Sequence, residues 1–148
     1  MLLNKDSLEF VALLNSNKVE YVVVGAFAVS FHGYPRYTGD LDLLINPTAE
    51  NAVRVLRVFS EFGFASLAVT AEDLQRPNYI VQLGVHPNRI DLITGISGVS
   101  FEEAWANRCA GDIDGMPTHF IGRVELIRNK EATGRARDLG DAEELRKI

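Results

Sequence analysis

The chain has 148 residues, of which 47% are hydrophobic and 24% are charged, a composition typical of one globular domain. Its formal net charge of −5 argues against a broad surface for coating nucleic acid but allows a local basic site. Cys109 is the single cysteine, which excludes an intrachain disulfide. No leader-like segment opens the chain and no apolar run reaches membrane-spanning length, so we expect a cytoplasmic protein.

The first half of the chain alternates between helical and strand-like segments. The apolar, β-branched run Tyr21–Val24 is typical of a buried strand. The Gly and Pro residues of segment 32–39 predict a loop before the next strand. The predicted elements are a helix from Asp6 or Ser7 to about Asn15, a strand over 21–24, a short helix over 26–31, a strand over 40–45 and a helix capped by Thr48 that ends near Phe62.

The second half predicts a hairpin, a helix, a second hairpin and two closing helices. Pro87-Asn88 has the chemistry of a hairpin turn, and Gly134 is expected to separate the last two helices. The predicted elements are strands over 79–85 and 89–94, a helix over 101–109, an edge hairpin over 112–121 and helices over 123–133 and 135–147. This order indicates an α/β or α+β sheet surrounded by helices. We expect a single domain over 1–148, with a core over about 1–121 and two C-terminal helices over about 122–148.

Two carboxylates alternate on a predicted strand, in the sequence Asp40-Leu41-Asp42-Leu43. Residues i and i+2 of a strand point to the same face, roughly 6–7 Å apart. Like charges so placed in an apolar segment repel each other and lose hydration. A divalent metal such as Mg²⁺ would offset that cost, because hard cations prefer carboxylate oxygens.

Asp91 repeats the same context, between Ile90 and Leu92 on a later predicted strand. Three carboxylates from two strands can enclose one or two Mg²⁺ ions, and such a site serves phosphoryl or nucleotidyl displacement. The alternative for Asp91 is a carboxylate that accepts backbone N–H groups at the end of a hairpin.

Phosphate-binding chemistry is indicated at Gly25-Ala26, which joins a predicted strand to a predicted helix. A helix N-terminus offers free N–H groups, and glycine allows close backbone approach. A tight turn without a ligand explains the same residues. Arg36 and Thr38 lie on the loop before the acidic strand, where Arg36 could reach a phosphate or pack within the loop.

Lys130 lies on the apolar face of its predicted helix, three and four residues after Ile127 and Leu126. Such a lysine either extends its head group to solvent or points at an anion. Asp138 faces inward on the last predicted helix, so one hypothesis is a structural Lys130–Asp138 ion pair between the two helices. The other places Lys130 on a nucleoside triphosphate.

These motifs resemble a known signature. Gly25-Ala26, a gap of thirteen residues, Asp40-x-Asp42 and a later strand-borne Asp91 resemble the pattern of the polymerase-β-like nucleotidyltransferase superfamily. The segment before Asp42 is most similar to the small prokaryotic branch, which includes the minimal nucleotidyltransferases and the abortive-infection, toxin–antitoxin type enzymes. The Lys…Arg-Asp…Asp pattern of 129–141 is similar to that of the toxin-type members.

The resemblance implies a mixed β-sheet flanked by helices and Mg²⁺-dependent transfer of a nucleoside monophosphate from an NTP. The acceptor could be an RNA end, a protein hydroxyl or a small molecule. By position, Asp40, Asp42 and Asp91 would be catalytic and hold two Mg²⁺ ions, for which Mn²⁺ could substitute. The nucleotide-binding residues implied by the resemblance or by the loop's position are Gly25, Ala26, Arg36, Thr38, Lys130 and Asp138.

Ala26 departs from the Gly or Ser usual in the signature, since it keeps the backbone N–H but adds a methyl group. The chain is also short, which leaves little room for a large helical domain. A partner protein or a second copy could therefore complete the cleft. The alternative function is a catalytically silent nucleotide- or partner-binding module on the same fold.

Overall fold

A computed structural model describes residues 3–148 as alternating helices and strands. The elements are α1 Lys5–Ser16, β1 Tyr21–Val24, α2 Gly25–Phe31, β2 Leu41–Ile45, α3 Ala49–Phe62, a 3-10 turn Asp73–Gln75, β3 Ile80–Leu83, β4 Ile90–Ile93, α4 Phe101–Ala106, β5 Cys109–Ile113, β6 Met116–Phe120, α5 Arg123–Thr133 and α6 Ala136–Arg146.

The strands form one mixed six-stranded sheet in the order β3-β4-β2-β1-β6-β5. β2 pairs with β4, and β1 with β6, in parallel, whereas the other three neighbouring pairs are antiparallel. The expected mixed sheet flanked by helices is therefore confirmed. The strands β1, β2 and β4 lie at its centre, which places the two acidic strands side by side.

The core lies around β1, whose four residues are all buried, as its continuous apolar run predicts. Phe10 of α1 is fully buried and contacts Phe59 and Phe62 of α3, with ring centroids 6.4 and 5.2 Å apart. Aromatic contacts of this kind stabilise beyond the area they bury. They attach α1 to α3 and make a rigid frame for the central strands.

Some predicted boundaries are confirmed and others are wrong. Thr48 caps α3 by accepting the Asn51 N–H, as expected. The cap of α1 is Asn4, whose side chain accepts the Ser7 N–H at 2.8 Å, and not Asp6 or Ser7. Asn and Asp are equally good caps, so residue type alone does not distinguish Asn4 from Asp6.

The predicted helix over 101–109 ends at Ala106, and Cys109 begins β5 opposite Phe120 of β6. The second hairpin therefore starts earlier than predicted. Of the two strands of this hairpin, only β5 lies at an edge of the sheet, because β6 pairs in parallel with β1. The pairing of β5 with β6 outweighs the helical preference of the residues that follow Ala106.

The first hairpin is shorter than predicted, since β3 and β4 have four residues each and segment 84–89 connects them. Asp40 lies one residue before β2 rather than within it. Within residues 3–148 we find no helix with the length and hydropathy needed to cross a membrane.

Candidate active site

A cleft of about 690 Å³ opens at the ends of the central strands. The nine residues predicted for metal, catalysis or nucleotide binding all line it, although they come from six separate parts of the chain. They are Gly25, Ala26, Arg36, Thr38, Asp40, Asp42, Asp91, Lys130 and Asp138. Their proximity is a finding of the structure, whereas their roles remain predictions.

Asp42 and Asp91 are register partners on the adjacent parallel strands β2 and β4. Side chains in register on neighbouring strands point to the same face of the sheet. Val24 is the register partner of Asp42 on β1, and α2 begins at the next residue, so the acidic pair lies beside the start of α2. The sheet thus brings two carboxylates and the Gly25-Ala26 turn to one place.

The pKa of Asp42 is raised from its ordinary value of 3.8 to about 6. Burial is the largest cause, and the negative charges of Asp91 and Asp40 add to it. Both effects disfavour the ionised carboxylate. Arg89 lowers the pKa only in part, so the site holds negative charge that its own cations leave uncompensated.

Asp40 and Asp91 are held by one short segment, the β3–β4 turn. The Nδ1 of His86 lies 2.7 Å from Asp40 Oδ2, and the backbone N–H of Arg89 donates to Asp40 Oδ1 at 2.8 Å. The guanidinium of Arg89 donates to both oxygens of Asp91, at 2.7 and 3.0 Å. All four carboxylate oxygens of these two residues therefore accept a hydrogen bond from His86 or Arg89.

These hydrogen bonds also affect acidity. Burial alone would raise the pKa of Asp40, but hydrogen bonds from His86 and the Arg89 N–H outweigh it and lower that pKa below its ordinary value. Thr38 positions the same residue, because its hydroxyl accepts the Asp40 N–H at 3.1 Å.

A divalent metal fits the chemistry of this donor set but requires a rearrangement. In residues 3–148 no group of three or more His, Cys, Asp or Glu side chains is arranged to hold a metal ion. Asp42 and Asp91 offer adjacent hard oxygen donors, and the negative charge around Asp42 would favour a divalent cation. The third carboxylate, Asp40, is turned towards His86, so the three do not converge as the strand alternation predicted.

Gly25 makes the close approach between the first helix turn and Asp42 possible. Its φ of +68° is in the left-handed region, and a Cβ built on it would lie 2.2 Å from Asp42 Oδ2. A side chain at this position would displace the carboxylate. Val24 precedes α2 and provides no side-chain cap for its first N–H groups, and Gly25 and Ala26, the first residues of the helix, line the cleft.

We expect Gly25→Ala to destabilise the protein more than Gly134→Ala. Both glycines have nearly the same φ, +68° and +70°, so both variants incur a backbone cost of about 1–2 kcal/mol. Nothing lies within 4 Å of a Cβ at Gly134, whereas the collision at Gly25 should cost about 1–3 kcal/mol more. Urea unfolding of the two variants measures the difference, and equal losses would show that the close approach to Asp42 has no energetic effect.

Lys130 and Asp138 form the ion pair that one of the two hypotheses for Lys130 described. The Nζ of Lys130 lies 3.1 Å from Asp138 Oδ1 and 3.3 Å from Asp141 Oδ2, with the lysine side chain only 11% exposed. Arg36 contacts the same Oδ2 atom of Asp141 as Lys130 does, which attaches the loop before β2 to α6. Burial would raise the pKa of Asp138, but hydrogen bonds from Thr133 and Lys130 outweigh it and lower that pKa.

Sequence reasoning did not identify His86 and Arg89 as site residues. Arg89 could have been found, because it lies two residues before Asp91 and a strand places such residues on one face. His86 had no such signal, since its distance from Asp40 depends on how the β3–β4 turn folds back. Asp141 appeared only as part of the C-terminal motif, and the structure shows it bridging Arg36 and Lys130.

Comparison with known proteins supports the fold. No family model matches the sequence, and no curated protein sequence matches it either. The chain resembles the crystal structure of a "putative nucleotidyltransferase" from Thermotoga maritima, with a TM-score of 0.57 and 20% sequence identity. The match covers 94% of this chain and 87% of the other. At this identity the likeness establishes a nucleotidyltransferase-like fold and does not extend to the toxin-type branch.

Proposed function

We propose that this protein is a Mg²⁺-dependent nucleotidyltransferase that moves a nucleoside monophosphate from an NTP to an acceptor. One observation carries the proposal: Asp42 and Asp91 lie in register, largely buried, beside the Gly25-Ala26 turn. A fold does not determine an activity, so the proposal depends on this site. Two adjacent carboxylates beside the first turn of a helix suit a metal-bound phosphate.

Asp42, Asp91 and a reoriented Asp40 would hold two Mg²⁺ ions, or Mn²⁺ in their place. When bound, the metal neutralises phosphate charge and activates the attacking hydroxyl. The protein's own residues orient the substrates. Gly25 and the Ala26 N–H lie where the triphosphate would enter, and Asp91 would accept a proton from the acceptor hydroxyl once Arg89 has released it.

Lys130 can serve both hypotheses made for it. Its ammonium group has three N–H donors, of which one donates to Asp138, while Asp141 contacts the same nitrogen as an ion pair. Because Lys130 lines the cleft, we propose that a remaining donor contacts the triphosphate. The ion pairs would then orient the head group, while Arg36 and Thr38 hold the loop that carries Asp40.

The second candidate is a catalytically silent nucleotide- or partner-binding module. It is favoured by the four hydrogen bonds that already occupy Asp40 and Asp91, and by Ala26 in place of Gly or Ser. A role in a toxin–antitoxin pair, with a partner protein or second copy beside the cleft, rests on the C-terminal motif alone. The acceptor, whether an RNA end, a protein hydroxyl or a small molecule, is for experiment to identify.

A labelling experiment separates the two candidates. The full chain is incubated with Mg²⁺ and either α- or γ-labelled NTP, in the presence of total tRNA or a cell extract as the acceptor pool. A nucleotidyltransferase transfers the α label and releases the γ label with pyrophosphate. Transfer of the γ label would indicate a kinase instead, and transfer of neither label would favour the silent module.

A further inference from the structure

Arg89 is the cation closest to the proposed metal ligands. Its guanidinium makes a two-pronged contact with Asp91, and its backbone N–H donates to Asp40. This arginine therefore supplies positive charge where a divalent cation would supply it.

We infer that Arg89 exchanges partners on substrate binding, holding Asp91 before the metal enters and binding NTP phosphate afterwards. This inference rests on the proposed function. A metal on Asp91 needs the oxygens that the guanidinium now occupies, and its charge repels the arginine. Metal and Arg89 therefore compete for Asp91.

The displaced guanidinium has few other acceptors in the cleft. Asp42 and Asp91 would be bound to metal, and Asp138 is already held by Lys130, Thr133 and Arg135. The phosphates of a bound nucleotide are then the nearest accessible anion. A planar guanidinium binds two phosphate oxygens in the same way that it now binds the two oxygens of Asp91.

The side chain can move without moving the core. The Arg89 side chain is 29% exposed, and neighbouring His86 is 75% exposed. The backbone of the turn is packed closely, because a Cβ on Gly39 would lie 2.3 Å from the carbonyl oxygen of Pro87. We therefore expect the guanidinium to change partners while the β3–β4 turn stays in place.

The partner exchange predicts that Arg89→Gln raises the affinity for the metal ion alone and lowers the affinity for the metal–nucleotide complex. Without its competitor, Mn²⁺ alone should bind about tenfold more tightly, as measured by electron paramagnetic resonance of the free ion. Binding of Mg·ATP, with GTP, CTP and UTP titrated separately, should weaken about tenfold or more, because a phosphate ligand is lost. Arg76→Gln is the matched control, since Arg76 is 65% exposed and pairs with Asp73 outside the cleft, and both affinities should stay unchanged.

A purely structural Arg89 would shift both affinities in the same direction or neither. Either result in folded Arg89→Gln overturns the inference. If that variant does not fold, Arg89→Lys keeps the charge and should show smaller changes of the same opposite signs; two unchanged affinities there overturn it as well. If the wild-type chain binds Mg·NTP but Arg89→Gln does not show the two opposite shifts, only the partner exchange is contradicted. If the wild-type chain binds no NTP, the proposed function itself is contradicted.

Discussion

Asp42→Asn should abolish Mg·NTP binding and nucleotidyl transfer while making the metal-free protein more stable. In the native site the pKa of Asp42 is raised to about 6 from 3.8, mainly by burial and then by the charges of Asp91 and Asp40. That difference is worth about 3 kcal/mol against folding at neutral pH. An uncharged amide removes the cost and also removes a proposed metal ligand.

The sign of the pH dependence follows from the proton that Asp42 binds in the folded and unfolded chains. Between pH 3.8 and about 6 the unfolded chain loses the Asp42 proton while the folded chain keeps it. The free energy of unfolding therefore falls as pH rises through this window, and the full cost is present above it. Urea unfolding in EDTA at pH 4, 6 and 8 should show a gain in Asp42→Asn that is small at pH 4 and largest at pH 8.

Asp114→Asn is the matched control for this experiment. Asp114 is an exposed residue in the turn between β5 and β6, with a φ of +50° that asparagine also adopts. Its stability should change little at any of the three pH values. A loss of stability in Asp42→Asn at pH 8 would contradict the idea that this carboxylate carries uncompensated charge.

Lys130→Met should lower the free energy of unfolding by about 1–3 kcal/mol at neutral pH. The substitution leaves the carboxylates of Asp138 and Asp141 buried, with side-chain exposures of 10% and 6%, without their shared cation. Arg135 still pairs with Asp138 and Arg36 with Asp141, so the loss stays below that of a fully uncompensated buried charge. Removing one partner of a buried ion pair costs more than the pair contributes, because the remaining charge stays desolvated.

The loss should shrink in acid. The pKa of Asp138 is lowered in the native protein, so its ionised form contributes stability above the pKa of the unfolded chain and loses it as pH falls. Lys147→Met is the control, because Lys147 is 67% exposed and pairs with Glu144 on the surface of the protein. Its free energy of unfolding should stay close to that of the wild-type chain.

Nucleotide titration of the same variant separates the roles of Lys130. A purely structural lysine predicts lower stability with unchanged NTP affinity in the remaining folded protein. The proposed contact between the Lys130 ammonium and the triphosphate predicts that stability and NTP affinity both fall. A large loss of NTP affinity with an unchanged melting temperature would contradict the structural ion pair.

The sequence predicted the central elements of the fold because their signals are local. The apolar run of β1, the Thr48 cap and the Gly134 break each depend on a few neighbouring residues. The end of α4 depends instead on the pairing of Cys109 with Phe120, eleven positions away in the chain. Local preference carries no information about such a partner.

The site likewise has features that local sequence predicts and features that depend on distant residues. The candidate residues follow from residue type and spacing, and the parallel register then places Asp42 opposite Asp91. The orientation of Asp40 does not follow from strand alternation, because it depends on a turn that folds back from position 86. The hydrogen bonds of His86 and Arg89 to these carboxylates are a three-dimensional property with no short sequence pattern.

The most direct test is calorimetric titration of ATP, GTP, CTP and UTP into the wild-type chain with Mg²⁺, with EDTA, and into Asp42→Asn with Mg²⁺. We expect at least one NTP to bind the wild-type chain only when Mg²⁺ is present and to lose that binding in the folded variant. Binding that persists in EDTA and in Asp42→Asn, or the absence of binding by any NTP to folded wild-type protein, would contradict a metal–nucleotide site between β2 and β4.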